Sequence, residues 1–390
     1  MRYVQINAYS GGWADSVIFK KHRELIAAGD ESWVFWARGE HEQDDHMVKI
    51  SSKFEVCLDV LQTRLDGRAG FHSRRATRRL LRRLDAIDPD VVHLHVLCGY
   101  WVNVEMLFEW LAAHRCEVVW TLHDCWAFTG HCIYFTYAEC DQWKKGCASG
   151  APCPQKGSYP ETLFGGDASV RWSYERKRRL FAALPLDRMR LITPSHWLAG
   201  LAKQSFLGKY DVKVVHNTID AKVFKPTPSD FRERYGVGDR FMVLGVASKW
   251  SERKGLDDFV RLAQELDGDR FAVVLVGLSE KQIRKMPPGL IALPRTNTPT
   301  ELAAIYTAAD VFFNPSQEDN YPTVNLEAEA CGTPVVTYDV GGCKETVKLF
   351  ESRCISRSVS EVAHLVAEMA ERGAQGKNRL GGTYQDKGLV

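Results

Sequence analysis

Two carboxylates with seven residues between them, Asp319 and Glu327, are the first groups in this chain whose type and spacing suggest chemistry. Ala309-Asp-Val-Phe-Phe313 before them and Pro334-Val-Val-Thr-Tyr338 after them read as short buried strands, so the piece between is predicted to be a loop followed by a helix. Asp319 or Asn320 would cap that helix, Pro322 suits its first turn, and Gly332 supplies the left-handed residue that ends it. The N–H groups around Asn320, Tyr321 and Thr323 would then point into the loop, where they coincide with the positive end of the helix dipole and favour a phosphate. Ionised carboxylates only accept hydrogen bonds, so a pair placed this way can grip hydroxyls on two parts of one ligand. Phosphate flanked by two sets of hydroxyls describes a nucleotide sugar. Taken alone, such a pair is more ordinarily a cap and a solvated helix acid.

Other clusters lie where strand patterns end. Arg2 to Asn7 reads as a buried strand, followed by Ser10, Gly11 and Gly12 and then a helix from Ser16 to Ala28 closed by Gly29. Strand, glycine loop and helix is an arrangement in which backbone can approach a phosphate closely, although most glycine pairs are only turns. Asp90-Val-Val-His-Leu-His95 puts His93 and His95 on one face of a strand, and Val118 to Asp124 delivers His123 and Asp124 to the same edge. Ligand clefts of open α/β sheets lie at such edges; two histidines there could bind a metal but more often line the cleft. Five of the 11 cysteines fall between residues 125 and 153. Four of them, Cys132, Cys140, Cys147 and Cys153, could hold one structural zinc ion, although the segment lacks a C-x2-C pair. Along a predicted helix over residues 72–84, Arg74, Arg78 and Arg82 form one strip and Arg75, Arg79 and Arg83 the next, with Leu80, Leu81 and Leu84 as the apolar positions. This basic face, and Arg176-Lys-Arg-Arg179, either is solvated or meets an anionic membrane surface. Nucleic acid is not expected, because a net charge of +2 gives no general basic field.

Glu327-Ala-Glu-Ala-Cys-Gly-Thr-Pro-Val-Val336 resembles part of the signature of the retaining glycosyltransferases of family 4, in which E-x7-E leads into this block. The first acid departs from the pattern: Asp319 stands where the family carries Glu, and Glu318 lies one residue out of register. Glu318-Asp-Asn-Tyr-Pro322 is similar to the E-D-N-x-P of colanic-acid and other exopolysaccharide or lipopolysaccharide transferases in that family. The resemblance implies two Rossmann-like α/β domains facing across a cleft, the glycosyltransferase B fold. It also implies transfer of a sugar from a nucleotide diphosphate sugar to a hydroxyl of a saccharide, lipid-linked, with retention at the anomeric carbon. By the same resemblance His123 reaches the donor sugar, Gly11 and Gly12 face the donor phosphates, and the loop at Arg295 reads the base. Lys249 and Lys254 would neutralise the diphosphate, with Lys249 replacing a more usual Arg and so keeping the charge without the bidentate fork. Asp319 would hold the sugar and Glu327 the ribose. No catalytic metal is expected, since lysines and N–H groups can stabilise the leaving diphosphate; Asp88-Pro-Asp90 imitates a metal-binding D-x-D but falls in a helix-to-strand turn. Two alternatives share the architecture. A nucleotide-sugar 2-epimerase would turn over its substrate without an acceptor, and an inactive partner subunit would bind nucleotide and do nothing further.

The elements that must position these groups follow from length and pattern. At 390 residues the chain exceeds one ordinary core, and 45% hydrophobic with 26% charged residues is the composition of a soluble globular protein. Strands alternate with helices in both halves, which argues for parallel sheets covered on both faces. We expect a first domain over 1–226 with a Cys-rich insertion at 125–160, a Pro- and Gly-rich hinge from Phe224 to Asp239, a second domain over 240–372, and a disordered tail over 373–390. Basic residues prevail before the hinge and acidic ones after it. No run of about eighteen apolar residues suggests a spanning helix, and Met1 to Asn7 enters a strand without a leader pattern. The expectation is a cytoplasmic protein, peripheral at the inner face of the membrane, with thiols rather than disulfides.

Overall fold

The computed structural model describes residues 1–11 and 15–379, with backbone alone at 15–16 and 373–379. It divides into two units. One comprises Met1–Thr218 together with Glu318–Tyr321, and the other runs from Ile219 onward, interrupted only by those residues.

In the first unit seven strands form one parallel sheet: β1 (Arg2–Tyr9), β2 (Glu31–Arg38), β3 (Met47–Lys49), β4 (Val91–Leu94), β5 (Glu117–Thr121), β6 (Met189–Thr193) and β7 (Asp211–Val214), in the order 3-2-1-4-5-6-7. The second unit has six: β8 (Phe241–Val246), β9 (Phe271–Val276), β10 (Ile291–Leu293), β11 (Val311–Asn314), β12 (Val335–Tyr338) and β13 (Arg353–Ile355), parallel in the order 10-9-8-11-12-13. A strand inside such a sheet is covered on both faces, which is why β9 is the continuous apolar run Phe-Ala-Val-Val-Leu-Val, buried at every position. Its side chains still alternate. Val273 and Leu275 join Val243, Val311 and Phe313 in one core, while Ala272, Val274 and Val276 join Met242, Leu244 and Phe312 in the other.

Strand order reverses between β1 and β4 in one sheet and between β8 and β11 in the other. In open α/β sheets the loops after the strands on either side of such a reversal hold ligands. Those loops are Ser10–Gly11 after β1, His95 after β4, the Lys249 turn after β8 and residues 315–322 after β11.

Two boundaries differ from expectation. Phe224 to Asp239 is built onto the second sheet rather than free as a hinge: Phe231 is buried with Met242, and the Arg232 guanidinium donates to the carbonyls of Ala308 and Arg240. The Pro and Gly residues there shape turns. The last helix, Val359–Arg379, continues past Arg372, because Val362 and Val366 anchor it in the core and Ala374, Gln375 and Lys377 are helix formers. Residues 380–390 lie outside the described residues.

Candidate functional site

Period-two placement on β4 and the end of β5 bring three imidazoles together. The rings of His93 and His95 stack with centroids 4.1 Å apart, those of His95 and His123 lie 5.6 Å apart, and His95 Nδ1 is 3.3 Å from His123 Nε2. His93 is also held between the hydroxyls of Tyr3 and Thr121, at 2.8 Å each. Loss of hydration penalises the imidazolium form, so burial lowers His93 to about 3, His123 to about 4, and His95 well below its ordinary value. All three are neutral at pH 7, and His123 therefore offers a hydrogen-bonding ring rather than a cation. Burial moves the neighbouring Asp124 the other way, up to about 6, although its carboxylate accepts the Trp126 N–H at 2.8 Å. Gly11, just past β1, has φ +87°, a conformation that side chains rarely adopt; Gly12 lies outside the described residues.

Glu318–Tyr321 clusters with the first unit because its side chains are bound there. The Glu318 carboxylate is fully buried and accepts the N–H groups of Phe135 at 3.3 Å, Thr136 at 2.6 Å and Tyr137 at 3.1 Å. Burial raises this carboxyl, and the N–H donors work against the rise. Asn320 donates its amide to the His123 carbonyl, and the Tyr321 ring stacks on His216 at 4.8 Å. Asp319, between them, stays half-buried. Of the two adjacent acids, Glu318 is thus fully buried among backbone donors and Asp319 is half-buried. The expected cap by Asp319 or Asn320 does not form. The helix runs Thr323–Ala330 with no side-chain cap, because its N-cap position falls on Pro322, whose ring offers no acceptor. Gly332, at φ +85°, does end it.

In the second unit the turn Glu252–Lys254 is clamped to the loop after β11. The Gln317 N–H donates to the Arg253 carbonyl at 2.8 Å, and its side-chain amide to the Glu252 carbonyl at 3.0 Å. Gly255, at φ +71°, approaches so closely that a Cβ would lie 2.3 Å from the Pro315 oxygen. Lys249 is exposed, Lys254 half-buried, and Arg295 exposed in the loop after β10. Glu327 accepts the Tyr306 hydroxyl at 3.1 Å and is hydrogen-bonded to Thr323; burial raises its carboxyl. Sequence reasoning missed Tyr306, since an aromatic on a helix facing a core carries no signal of its partner.

The segment 125–160 is ordered despite having only short 3-10 turns, at Trp126–Phe128, Thr136–Ala138 and Gln142–Lys144. Phe128, Phe135 and Trp143 pack ring against ring beneath it. Cys132, Cys147 and Cys153 are buried and Cys140 is half-buried. The neighbouring Cys153 and burial hold the Cys132 thiol well above its ordinary range. Among the described residues, no three of these sulfurs lie within 4.8 Å of one another.

One helix has its faces reversed. Lys53–Asp66, opened by a Ser52–Glu55 capping box, buries Asp59 and Thr63, which hydrogen-bond each other at 3.1 Å, and turns Phe54, Leu58, Leu61 and Leu65 outward. Phe54 is 76% exposed. Leu163 and Phe164, 74% and 77% exposed, extend this stripe, their N–H groups resting on the Arg64 carbonyl. Beside it, the helix Arg74–Ile87 exposes Arg74, Arg75, Arg78, Arg79, Arg82 and Arg83. Its Leu80 and Leu84 fill the protein core, so the apolar positions expected to accompany the arginines at a membrane are not on the surface. The sequence reading did not single out the neighbouring helix, whose leucine spacing alone does not say which face is turned outward.

Two units, each a doubly wound parallel sheet with polar groups gathered at the strand ends beside the order reversal, have the architecture of the glycosyltransferase B fold. Residues 14–223 match the family described as Glycosyltransferase Family 4, and residues 229–379 the one described as Glycosyl transferases group 1. The chain belongs to glycosyltransferase family 4. It is similar to the putative colanic acid biosynthesis glycosyl transferase WcaC of Escherichia coli (strain K12), 25% identical over 382 residues that span 94% of this chain and 89% of that one. Solved structures of similar fold include sucrose-phosphate synthase from Thermosynechococcus elongatus, with TM-score 0.65 at 14% identity over 96% of this chain and 90% of that one. Anabaena HepE, crystallised with UDP-glucose, has TM-score 0.61 at 14% identity over 96% and 91%.

Proposed function

We propose that the protein moves a sugar from a nucleotide diphosphate sugar to a hydroxyl of a lipid-linked saccharide, with retention at the anomeric carbon, in the assembly of a cell-surface polysaccharide. One observation supports this reading: two partly exposed acids, Asp319 and Glu327, flank the start of the helix Thr323–Ala330 with seven residues between them. Glu327 would take the ribose hydroxyls and Asp319 the transferred sugar. Lys249, Lys254 and the first N–H groups of the helix Thr323–Ala330 would stabilise charge growing on the leaving diphosphate, a preorganised electrostatic task that requires no metal. Neutral His123 would hydrogen-bond a sugar hydroxyl, and the loop at Arg295 would meet the base. A relative named for colanic acid biosynthesis and a structural neighbour that binds UDP-glucose are consistent with both ends of the reaction.

The test begins with a thermal-shift panel of uridine, guanosine and adenosine diphosphate sugars, followed by transfer to extracted lipid-linked saccharide in excess chelator. Nucleotide diphosphate should be released only with acceptor present, and the chelator should leave the rate unchanged. Interconversion of the free nucleotide sugar would identify a 2-epimerase instead, and binding without turnover an inactive subunit.

A lipid-linked acceptor places the reaction at a membrane, and the reversed helix supplies a surface for it. Phe54, Leu58, Leu61, Leu65, Leu163 and Phe164 would enter the headgroup region while the neighbouring arginines meet anionic lipid. Among the described residues no helix is long and apolar enough to cross a bilayer.

A further inference from the structure

At the edge where β1 and β2 end and the loop after β4 begins, one arginine stands among tyrosines. Tyr9 and Arg38 are partners in register at the ends of β1 and β2, so their side chains leave the sheet on the same face. The Arg38 guanidinium carbon lies 4.2 Å from the centre of the Tyr9 ring and 5.9 Å from that of Tyr100, and its Nη2 donates to the Tyr9 hydroxyl. The Tyr159 ring meets Tyr100 edge to face at 5.6 Å.

The backbone is fitted to this arrangement. Asn7 Oδ1 accepts the Val96 N–H at 3.1 Å and so ties the loop after β4 to β1. Farther along that loop Gly99, at φ +141°, leaves room for the guanidinium, since a Cβ there would lie 2.8 Å from Nη2. Tyr100 follows at φ +65°, a left-handed conformation that bulky residues avoid. Strain of this kind persists where the surroundings fix it, and it gathers at ligand sites.

The charge, by contrast, has no counterpart. Among the described residues no carboxylate pairs with Arg38, and the acid nearest in sequence, Glu40, is taken by Lys49 at 3.0 Å. Arg38 Nε is buried with no partner, and among the described residues the guanidinium donates to the Tyr9 hydroxyl alone. The aromatic faces offset only part of what a half-buried cation loses with its water. Having accepted from Arg38, the Tyr9 oxygen still has its own proton to give. A guanidinium edge beside a hydroxyl donor matches the planar, two-oxygen face of a carboxylate or phosphate.

We propose that Arg38 and Tyr9, framed by Tyr100, bind an oxyanion, and that this oxyanion is a phosphate or carboxylate of the acceptor. The site lies on the first sheet beside the reversal between β1 and β4, whereas Lys249 and Lys254 belong to the second unit. Binding of an oxyanion stands on the geometry alone, and its assignment to the acceptor rests on the transferase reading. A saccharide brings such a group either as the phosphate that links it to lipid or as the carboxylate of a uronic acid.

Calorimetric titration of the full chain with methyl phosphate and with methyl glucuronide separates these sources. Wild type should bind at least one of them, the preferred probe naming the source. Arg38→Gln should weaken that binding by about tenfold or more, as loss of a charge-assisted hydrogen bond requires. Arg38→Lys keeps the charge without the fork and should weaken it several-fold. Tyr9→Phe keeps the ring beneath the guanidinium and removes the O–H, so affinity should fall while thermal unfolding hardly moves; a stack serving structure alone would leave affinity unchanged. Arg284→Gln, in the second unit, should have no effect. In transfer assays Arg38→Lys should raise KM for an acceptor carrying the preferred group and leave KM for the donor unchanged. Wild type that binds neither probe, or binding that Arg38→Lys and Tyr9→Phe leave intact, would overturn the site. Lost oxyanion binding with an unaltered acceptor KM would overturn its assignment to the acceptor. The titrations need no turnover and decide the site even if the protein transfers no sugar.

Discussion

Adjacent acids, Glu318 and Asp319, stand in different surroundings: Glu318 is fully buried and accepts three backbone N–H groups, and Asp319 is half-buried. The partners of Glu318 lie 181 to 183 residues away in the chain, so nothing local in the sequence distinguishes the two. Glu318→Gln puts an NH2 donor among three N–H donors and should cost about 1–3 kcal/mol of stability, read from urea unfolding. Asp319→Asn should leave that stability alone and spare affinity for free nucleotide diphosphate while weakening the intact donor. Glu327→Ala should weaken both ligands, since both carry ribose; calorimetric titration separates the two outcomes, and lost nucleotide affinity in the Asp319 variant would contradict the assignment. The histidine cluster gives a pH signature. His93, His95 and His123 have lowered folded values, so their contribution is complete above about 6.5 and is lost as pH falls toward about 4, where the unfolded chain is already protonated. Stability should drop by about 1–2 kcal/mol per histidine between pH 7 and 5, and His93→Gln should flatten the slope.

At the level of elements, strands and their ends were the most legible part of the chain, because central parallel strands are written as unbroken apolar runs. The glycines were readable only as punctuation. Gly255 has a further duty, since its lack of a Cβ lets the Lys254 turn meet Pro315. Gly255→Ala should therefore strain the backbone and displace the turn, costing about 1–3 kcal/mol and lowering nucleotide affinity. Gly268→Ala, with open space around it and no positive φ, should do neither. The helix Lys53–Asp66 shows where pattern reading fails. An apolar stripe at helical spacing predicts a buried face, but here Asp59 and Ser73 satisfy each other inside and the stripe is left outside. Replacing Leu61 and Phe164 with Glu should release the protein from vesicles of anionic lipid without changing urea stability. Reversing Arg75 and Arg83 to Glu should weaken binding in a salt-dependent way. Vesicle binding unchanged by both pairs would leave the stripe without lipid.

For the whole molecule, the alternation of strands and helices foretold two doubly wound units, while the limits of those units were misjudged. Composition marks Phe224–Asp239 as loop-like, and loops rich in Pro and Gly can be firmly built onto a sheet when one aromatic, here Phe231, drops into the core. The interrupted first unit bears on how such chains recombine. A gene exchange at the single junction near residue 218 would import a new first half but keep the old residues 318–321, which count with that half. The incoming backbone at positions 135–137 would meet a glutamate selected alongside a different turn, or none. Hybrids made by one crossover should thus be less stable than hybrids in which residues 318–321 travel with the first half, and paired chimeras with the WcaC relative, compared by thermal unfolding, would measure the difference. Inheritance in this protein has three seams rather than one.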